Sequence, residues 1–238
     1  SQSYLDFNNL RTDIALVPTF SDYSKEQEYQ LSFDMLYQPA KGTDVTVGGE
    51  VKLAQISSDA YLRYLTTTFN EFLETVRLRS DTTAFRAALF AEISRQITGR
   101  LRVTLGGRMD YCNILASPAC EAVRCSSSYL LAPDLTLTGS AGMYYQLPSY
   151  VWLISNPSNT HLNFIRMNLF ALGLERLISE DWRLTLEGYL KYYADYPADV
   201  YRPYLVQANT GAGFDYGFAD GFASFGFDPL VSQATGHA

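Results

Sequence analysis

Charge is what this sequence has least of. Only 18% of its 238 residues are Asp, Glu, Lys or Arg, against about 25% in an ordinary soluble domain. The 18 Lys and Arg are outnumbered by 25 Asp and Glu, a net charge of −7. No basic field exists to draw in a phosphate backbone, so nucleic-acid binding is not expected. Two His and three Cys make a poor metal site, and no metal, catalytic group or cofactor is expected. The start, Ser1-Gln2-Ser3-Tyr4-Leu5-Asp6, lacks the basic segment and apolar run of a signal peptide, which reads as a mature chain or a fragment. Long uniform hydrophobic runs are missing too. Leu135 to Ile165 is free of Asp, Glu, Lys and Arg, but Gly139, Gly142, Pro148 and Pro157 interrupt it and its first half alternates with period two, so it is no membrane helix.

What is present is aromatic and alternating: 18 Tyr and 14 Phe in a chain that is 47% hydrophobic. Between Trp182 and Tyr193, Trp182, Leu184, Leu186, Leu190 and Tyr192 share one face, while Arg183, Thr185, Glu187, Lys191 and Tyr193 share the other. Leu101 to Tyr111 repeats the design, with Leu101, Val103, Leu105, Met109 and Tyr111 opposite Arg102, Thr104, Arg108 and Asp110. A side-chain period of two predicts strands. They fall near 10–17, 29–38, 44–54, 84–95, 101–112, 134–146, 169–178 and 182–193, with Leu172 and Leu174 outward and Glu175 inward in the seventh.

The connections alternate between tight and long. Turn formers cluster at Pro39-Ala40-Lys41-Gly42, Gln96-Ile97-Thr98-Gly99 and Ser179-Glu180-Asp181. Longer excursions fall at 18–28, 55–83, 112–132, 147–168 and 194–238. Strands of about ten residues, an apolar face capped by aromatics, and loops long on one rim only predict an all-β fold: an antiparallel transmembrane β-barrel of the outer-membrane type, with residues 1–238 part of one barrel domain. Lipid cannot satisfy backbone polar groups, so a closed sheet is the β solution there. The face carrying Arg102, Arg108, Asp110, Glu187 and Lys191 is then expected to line a hydrated lumen. A soluble antiparallel sheet with one wet face is the competing account, disfavoured by the loop asymmetry.

A resemblance follows from these segments. Pro133-Asp134-Leu135-Thr136-Leu137-Thr138-Gly139-Ser140, running on through Tyr144-Tyr145-Gln146-Leu147-Pro148-Ser149-Tyr150, resembles a stretch of TonB-dependent outer-membrane receptors. Ala171-Leu172-Gly173-Leu174-Glu175 followed by Asp181-Trp182-Arg183-Leu184-Thr185-Leu186-Glu187-Gly188-Tyr189 is similar to a hairpin of the same family, as is Leu101-Arg102-Val103-Thr104-Leu105-Gly106-Gly107-Arg108-Met109-Asp110-Tyr111. The likeness covers roughly 84–213. It implies a portion of a barrel of some twenty-two strands, filled in whole receptors by an N-terminal plug. It also implies an outer-membrane location and uptake of a scarce solute driven through a TonB-type energy-coupling protein, which contacts a plug domain absent from this sequence. Partners on this reading are the outer-membrane bilayer and that coupling protein. A structural or assembly barrel subunit that anchors other envelope proteins is the alternative, and an outer-membrane hydrolase a weaker one. The sequence departs from the pattern at 112–134, where only Ser126 to Leu131 reads as extended. That is too short to cross a bilayer, so a portion of a barrel or a shortened one is expected.

Four features are candidate sites. Cys120 and Cys125 either close a small disulfide loop, as exported proteins permit, or stay as free thiols. His161 with Ser149 or Ser155 would be the hydrolase version, although a plain loop histidine is the simpler account. Tyr145, Tyr150 and Trp152, where a strand meets a long loop, are candidates for stacking on a ligand at the barrel mouth, with a membrane-interface girdle as the cheaper account. Tyr61, Leu62, Leu65, Phe69, Phe72, Leu73 and Val76 recur at helical spacing after Ser58-Asp59, which predicts a loop helix over 60–76.

Overall fold

A computed structural model describes residues 1–12, 15–63, 65–66, 72–73, 75–179, 181–201, 203, 206 and 229–238. The strands are β1 (Gln2–Thr12), β2 (Pro18–Ala40), β3 (Thr43–Leu62), β4 (Leu65–Thr66), β5 (Phe72–Leu73), β6 (Val76–Gln96), β7 (Leu101–Cys112), β8 (Ala119–Ala132), β9 (Leu135–Gln146), β10 (Ile165–Leu177), β11 (Arg183–Asp199) and β12 (Leu230–His237). A six-residue helix, α1 (Tyr150–Ser155), and a 3₁₀ turn (Pro157–His161) lie between β9 and β10.

Among the described residues, ten strands form one antiparallel sheet in the order β1-β2-β3-β6-β7-β8-β9-β10-β11-β12, and β4 pairs with β5 apart from it. The large sheet's order is the chain order. Turns joining β2 to β3, β6 to β7, β8 to β9 and β10 to β11 share one rim, and the other connections share the opposite one.

Register explains the chemistry of the two faces. Asp44, Ser94, Thr104, Ser126, Ser140 and Ala171 follow one another across β3, β6, β7, β8, β9 and β10, so their side chains lie on one face. The other face carries Leu31, Phe33, Met35, Leu89, Leu105, Leu172 and Leu186, at 49–73% relative exposure if Met109 is taken with them. An apolar patch of that extent would drive association in water. Against hydrocarbon it is what a barrel wall requires. No helix among the described residues is long and apolar enough to cross a membrane.

The strands differ from the sequence expectation in five places. The stretch 112–132, expected to be a loop, holds β8, whose fourteen residues are long enough to cross. Its alternation is blurred because Ser126, Ser127 and Ser128 put hydroxyls on both faces. The first strand ends at Thr12 instead of running over 10–17, since Leu16 takes a left-handed φ of 61° and β2 begins at Pro18. The excursion at 18–28 is strand. The loop at 55–83 is mostly β3 continuing to Leu62 and β6 starting at Val76, so the described part of 60–76 is β and not helical; the remainder lies outside the described residues. Finally, 194–238 contains the end of β11 and all of β12, while Phe214 to Phe227 lies outside the described residues.

β2, β3 and β6 have 23, 20 and 21 residues. Tilted strands need only about ten to cross a bilayer, so these three project well beyond the long-loop rim. Past Leu53 the apolar alternation stops and polar residues such as Gln55, Ser57 and Asp59 take the outward positions, as water contact demands.

Candidate functional site: the charged wall and its cap

The polar face is laced with ion pairs between strands. Arg102 on β7 reaches over β6 to Asp44 on β3, touching Ser94 Oγ with its Nε at 2.7 Å on the way. Thr104 donates to the same Ser94 hydroxyl at 2.9 Å. Arg124 on β8 spans β7 to Glu92 on β6 at 2.9 Å. Arg108 grips Asp110, its neighbour on the same face, through Nε and Nη2 at 2.8 Å each. Lys52 lies 3.4 Å from Glu28 and 3.6 Å from Glu50, and Gln30 donates to Glu50 at 2.5 Å. Lys191 sits 4.7 Å from the centre of the Tyr189 ring on the same face. Glu187 lines a polar groove of about 260 Å³ together with Arg102, Thr104, Ser126 and Thr138. All five residues expected to face a hydrated interior, Arg102, Arg108, Asp110, Glu187 and Lys191, are thus on one face.

The long-loop end of this wall is covered by the segment between β9 and β10. Trp152 and Leu153 of α1 and Leu162 beyond the 3₁₀ turn are almost wholly enclosed. They pack with Ala54, Ile56, Ala84, Cys112, Leu115 and Leu230, which come from β3, β6, β7, the β7–β8 turn and β12. A helix this short has little stability of its own, so what holds it is burial and a buried amide. Asn159, with no exposed surface, donates to the Trp152 carbonyl at 2.6 Å and to Ser155 Oγ at 3.2 Å, and its carbonyl accepts from Leu230 N at 2.8 Å. Ala116 N donates to Thr160 O at 2.7 Å, and Asn163 N to Ser232 Oγ at 2.9 Å. These bonds tie the cap to the β7–β8 turn and to β12.

The three ligand candidates separate here. Trp152 and Tyr150 are enclosed in the cap, at 0% and 8% exposure, so neither offers a ring for a solute to stack on, and neither belongs to a membrane girdle. Burial pushes the Tyr150 phenol above its ordinary value, with the Arg86 guanidinium pulling partly the other way. Tyr145 is half-buried at the end of β9, opposite Arg166 and on the apolar face. The disulfide candidate fails on geometry: Cys120 and Cys125 are five positions apart in one extended strand, so their side chains leave opposite faces of the sheet. All three cysteines are free. Ser155 donates to the Trp152 carbonyl at 2.9 Å inside the cap, whereas His161 is exposed, so the two form no catalytic pair. No group of three or more His, Cys, Asp or Glu among the described residues is placed to hold a metal. Sequence reasoning missed Asn159, whose place in a polar run carried no signal of burial.

An antiparallel sheet with one lipid-compatible face, one charged face and short turns on a single rim is the wall of an outer-membrane β-barrel. The family described as TonB dependent receptor-like, beta-barrel, matches residues 1–226, and the chain belongs to that family. Among solved structures, the copper transporter OprC is similar at 15% identity with a TM-score of 0.61, over 82% of this chain and 35% of that one. FpvAI in its complex with pyocin S2 is similar at 10% identity and 0.56, over 84% and 30%. The FrpB iron transporter from Neisseria meningitidis is similar at 12% and 0.53, over 83% and 36%. At these identities the likeness shows the fold. The chain spans about a third of the length of each. None of the curated proteins compared matches it by sequence. Family and fold together place it in the outer membrane.

Proposed function

We propose that this chain is part of the barrel of an outer-membrane receptor that takes up a scarce solute by active transport coupled to TonB. The observation that carries the reading is the ion-paired wall beneath an extracellular cap. Charges kept on one face of a membrane sheet need water around them, which a lumen supplies. A cap held by packed side chains covers the long-loop end of that wall. Coupling through TonB requires a plug in the lumen, and the polar wall suits one.

The test uses the full-length receptor in its own envelope. Cells with and without the gene are given labelled copper, ferric chelates and other scarce solutes, with and without a protonophore; metals come first because two of the similar structures are a copper and an iron transporter. Loss of uptake of one solute on deletion, abolished equally by the protonophore in intact cells, is the expected result. Unchanged uptake of every solute, with other envelope proteins lost from the membrane instead, would overturn it in favour of an assembly subunit.

A further inference from the structure

The seams on either side of β8 and β9 run to the ends of the strands they join. β7 and β8 pair from Leu101↔Tyr129 up to Tyr111↔Ala119, the first residue of β8, and β9 and β10 pair up to Ile165↔Gln146, the last residue of β9. The β8–β9 seam between them is different. Its ladder stops at Arg124↔Gly142, although both strands continue upward, β8 through Val123 to Ala119 and β9 through Met143 to Gln146. Above the gap the wall is joined again: Ala116 N donates to Thr160 O at 2.7 Å, and Leu115 packs with Trp152 and Leu153 of the cap. The sheet therefore has an eyelet, with a strand on each side, the last ladder pair below and the cap above.

The gap draws its lining from both faces of the wall. A cavity of about 230 Å³ is lined by Ala122, Arg124 and Tyr144, whose side chains are on the lumenal face, and by Val123, Met143 and Tyr145, whose side chains are on the lipid face. Arg86, Arg108 and Asp110 complete its lumenal end, where the charges are matched: Arg108 binds Asp110, and Arg124 reaches across β7 to Glu92 at 2.9 Å. That reach draws Arg124 away from the seam. Tyr144 folds down over Gly142, where an added Cβ would stand 3.2 Å from its ring. Two large side chains that could fill the gap are thus turned aside. Backbone groups that lack a ladder partner need water or a polar group, because hydrocarbon offers none. The lumenal half of the gap is polar, and its outer half is apolar and continuous with the lipid-facing wall.

We infer that this eyelet is a lateral portal that holds an amphiphile. The neutral polar head lies against the unpaired backbone on the lumenal side, and a single hydrocarbon chain runs out between Val123 and Met143 into the bilayer. Hydrogen-bonding groups inside and apolar side chains outside match the two ends of such a molecule. The same chemistry has two sources, a transported amphiphilic solute and a lipid of the membrane itself. As a statement about the transported solute this rests on the uptake reading above; as a statement about the wall it does not.

Photolabelling of the full-length receptor in phosphatidylcholine vesicles tests the portal. Two probes carry a diazirine beside the headgroup, a monoacylglycerol and a phosphatidylethanolamine, and labelled residues are located by mass spectrometry. Label on Ala122 or Tyr144 is expected, from the monoacylglycerol if the occupant is a free amphiphile and from the phosphatidylethanolamine if it is a membrane lipid. In a Cys125→Ser background, Val123→Cys with Met143→Cys, opposite each other if the register of the ladder below is continued, closes the gap on oxidation. Label at Ala122 and Tyr144 should then fall at least fivefold and return on reduction, while label at Phe170 and Leu172 on the outer wall stays within twofold. Label confined to the outer wall with both probes, or unchanged by the closure, overturns the proposal. If the pair does not oxidise, Ala122→Phe fills the gap from the lumenal side; the same fall is expected at Tyr144, and unchanged label overturns the proposal. Labelling in vesicles needs no energy coupling, so absence of uptake in cells leaves these outcomes standing and the two readings fail separately.

Discussion

Two apolar regions of this molecule have opposite accessibility. On the outer face, Leu31, Leu172 and Leu186 keep 62–73% of their surface open once Leu172 is counted as the least exposed of the three, whereas in the cap Trp152, Leu153 and Leu162 keep 2% or less. The outer residues are apolar because hydrocarbon lies against them; they need no protein partner and tolerate loose packing. The cap residues are apolar because protein encloses them, and each depends on its neighbours' shape. Hydrophobicity alone does not distinguish the two regions, and their response to substitution should.

The largest effect is expected in the cap. Trp152→Ala removes the biggest enclosed side chain and leaves a void, destabilising the cap by about 3–5 kcal/mol. Limited proteolysis should then cut within 147–164, while the barrel still shows its heat-dependent mobility on gels. An uncut loop would mean that the cap is held by its hydrogen bonds alone. Next comes the outer face. Leu172→Arg, paired across from Gly188 near the middle of β11, is expected to cost about 2–4 kcal/mol in a refolding titration. Thr185→Arg, on the polar face opposite Glu175, is expected to cost less than about 1 kcal/mol. Equal costs would erase the distinction between the faces.

Smaller still is Asp44→Asn, which unpairs Arg102. Both side chains keep about a third of their surface open, 27% and 38%, so a small loss of stability that vanishes at high salt is expected from denaturant titration. The smallest effect is pH-dependent. The Tyr150 phenol is raised in the folded state, so its contribution to cap stability is fully present below the ordinary value of 10.0 and is lost as pH climbs through the raised value. Trp152 fluorescence followed up to strongly alkaline pH should shift in the parent and not in Tyr150→Phe.

Legibility in the sequence followed amphipathicity. β7 and the membrane part of β11 alternate cleanly, with Leu, Val, Met and Tyr against Arg, Thr and Asp, so faces and extents could be read directly. β8 could not: Glu121 and Ser127 stand on its outer face and Ala122 and Leu130 on its inner one, and a strand held mainly by its neighbours' backbones leaves a weak pattern. The long projections of β2, β3 and β6 were hidden for a related reason. Above the membrane the outer positions meet water while Ala54, Ile56 and Ala84 turn inward against the cap, so the outward apolar stripe ends although the hydrogen-bond ladder continues. The cap was illegible because six helical residues are too few to show a period, and a buried Trp looks the same in sequence as an interfacial one. The grouping of Arg86, Arg108 and Arg124 around one groove needed register, since they stand on three different strands and meet only through strand pairing.

Sheet order that copies chain order has a consequence for how such walls change size. Each strand of the large sheet between its edges β1 and β12 is bonded to its predecessor and successor in that order, so a hairpin can be gained or lost by duplication or deletion of one continuous stretch of gene without re-pairing the strands on either side. The circumference of the pore is in that sense a countable, heritable quantity, adjustable two strands at a time.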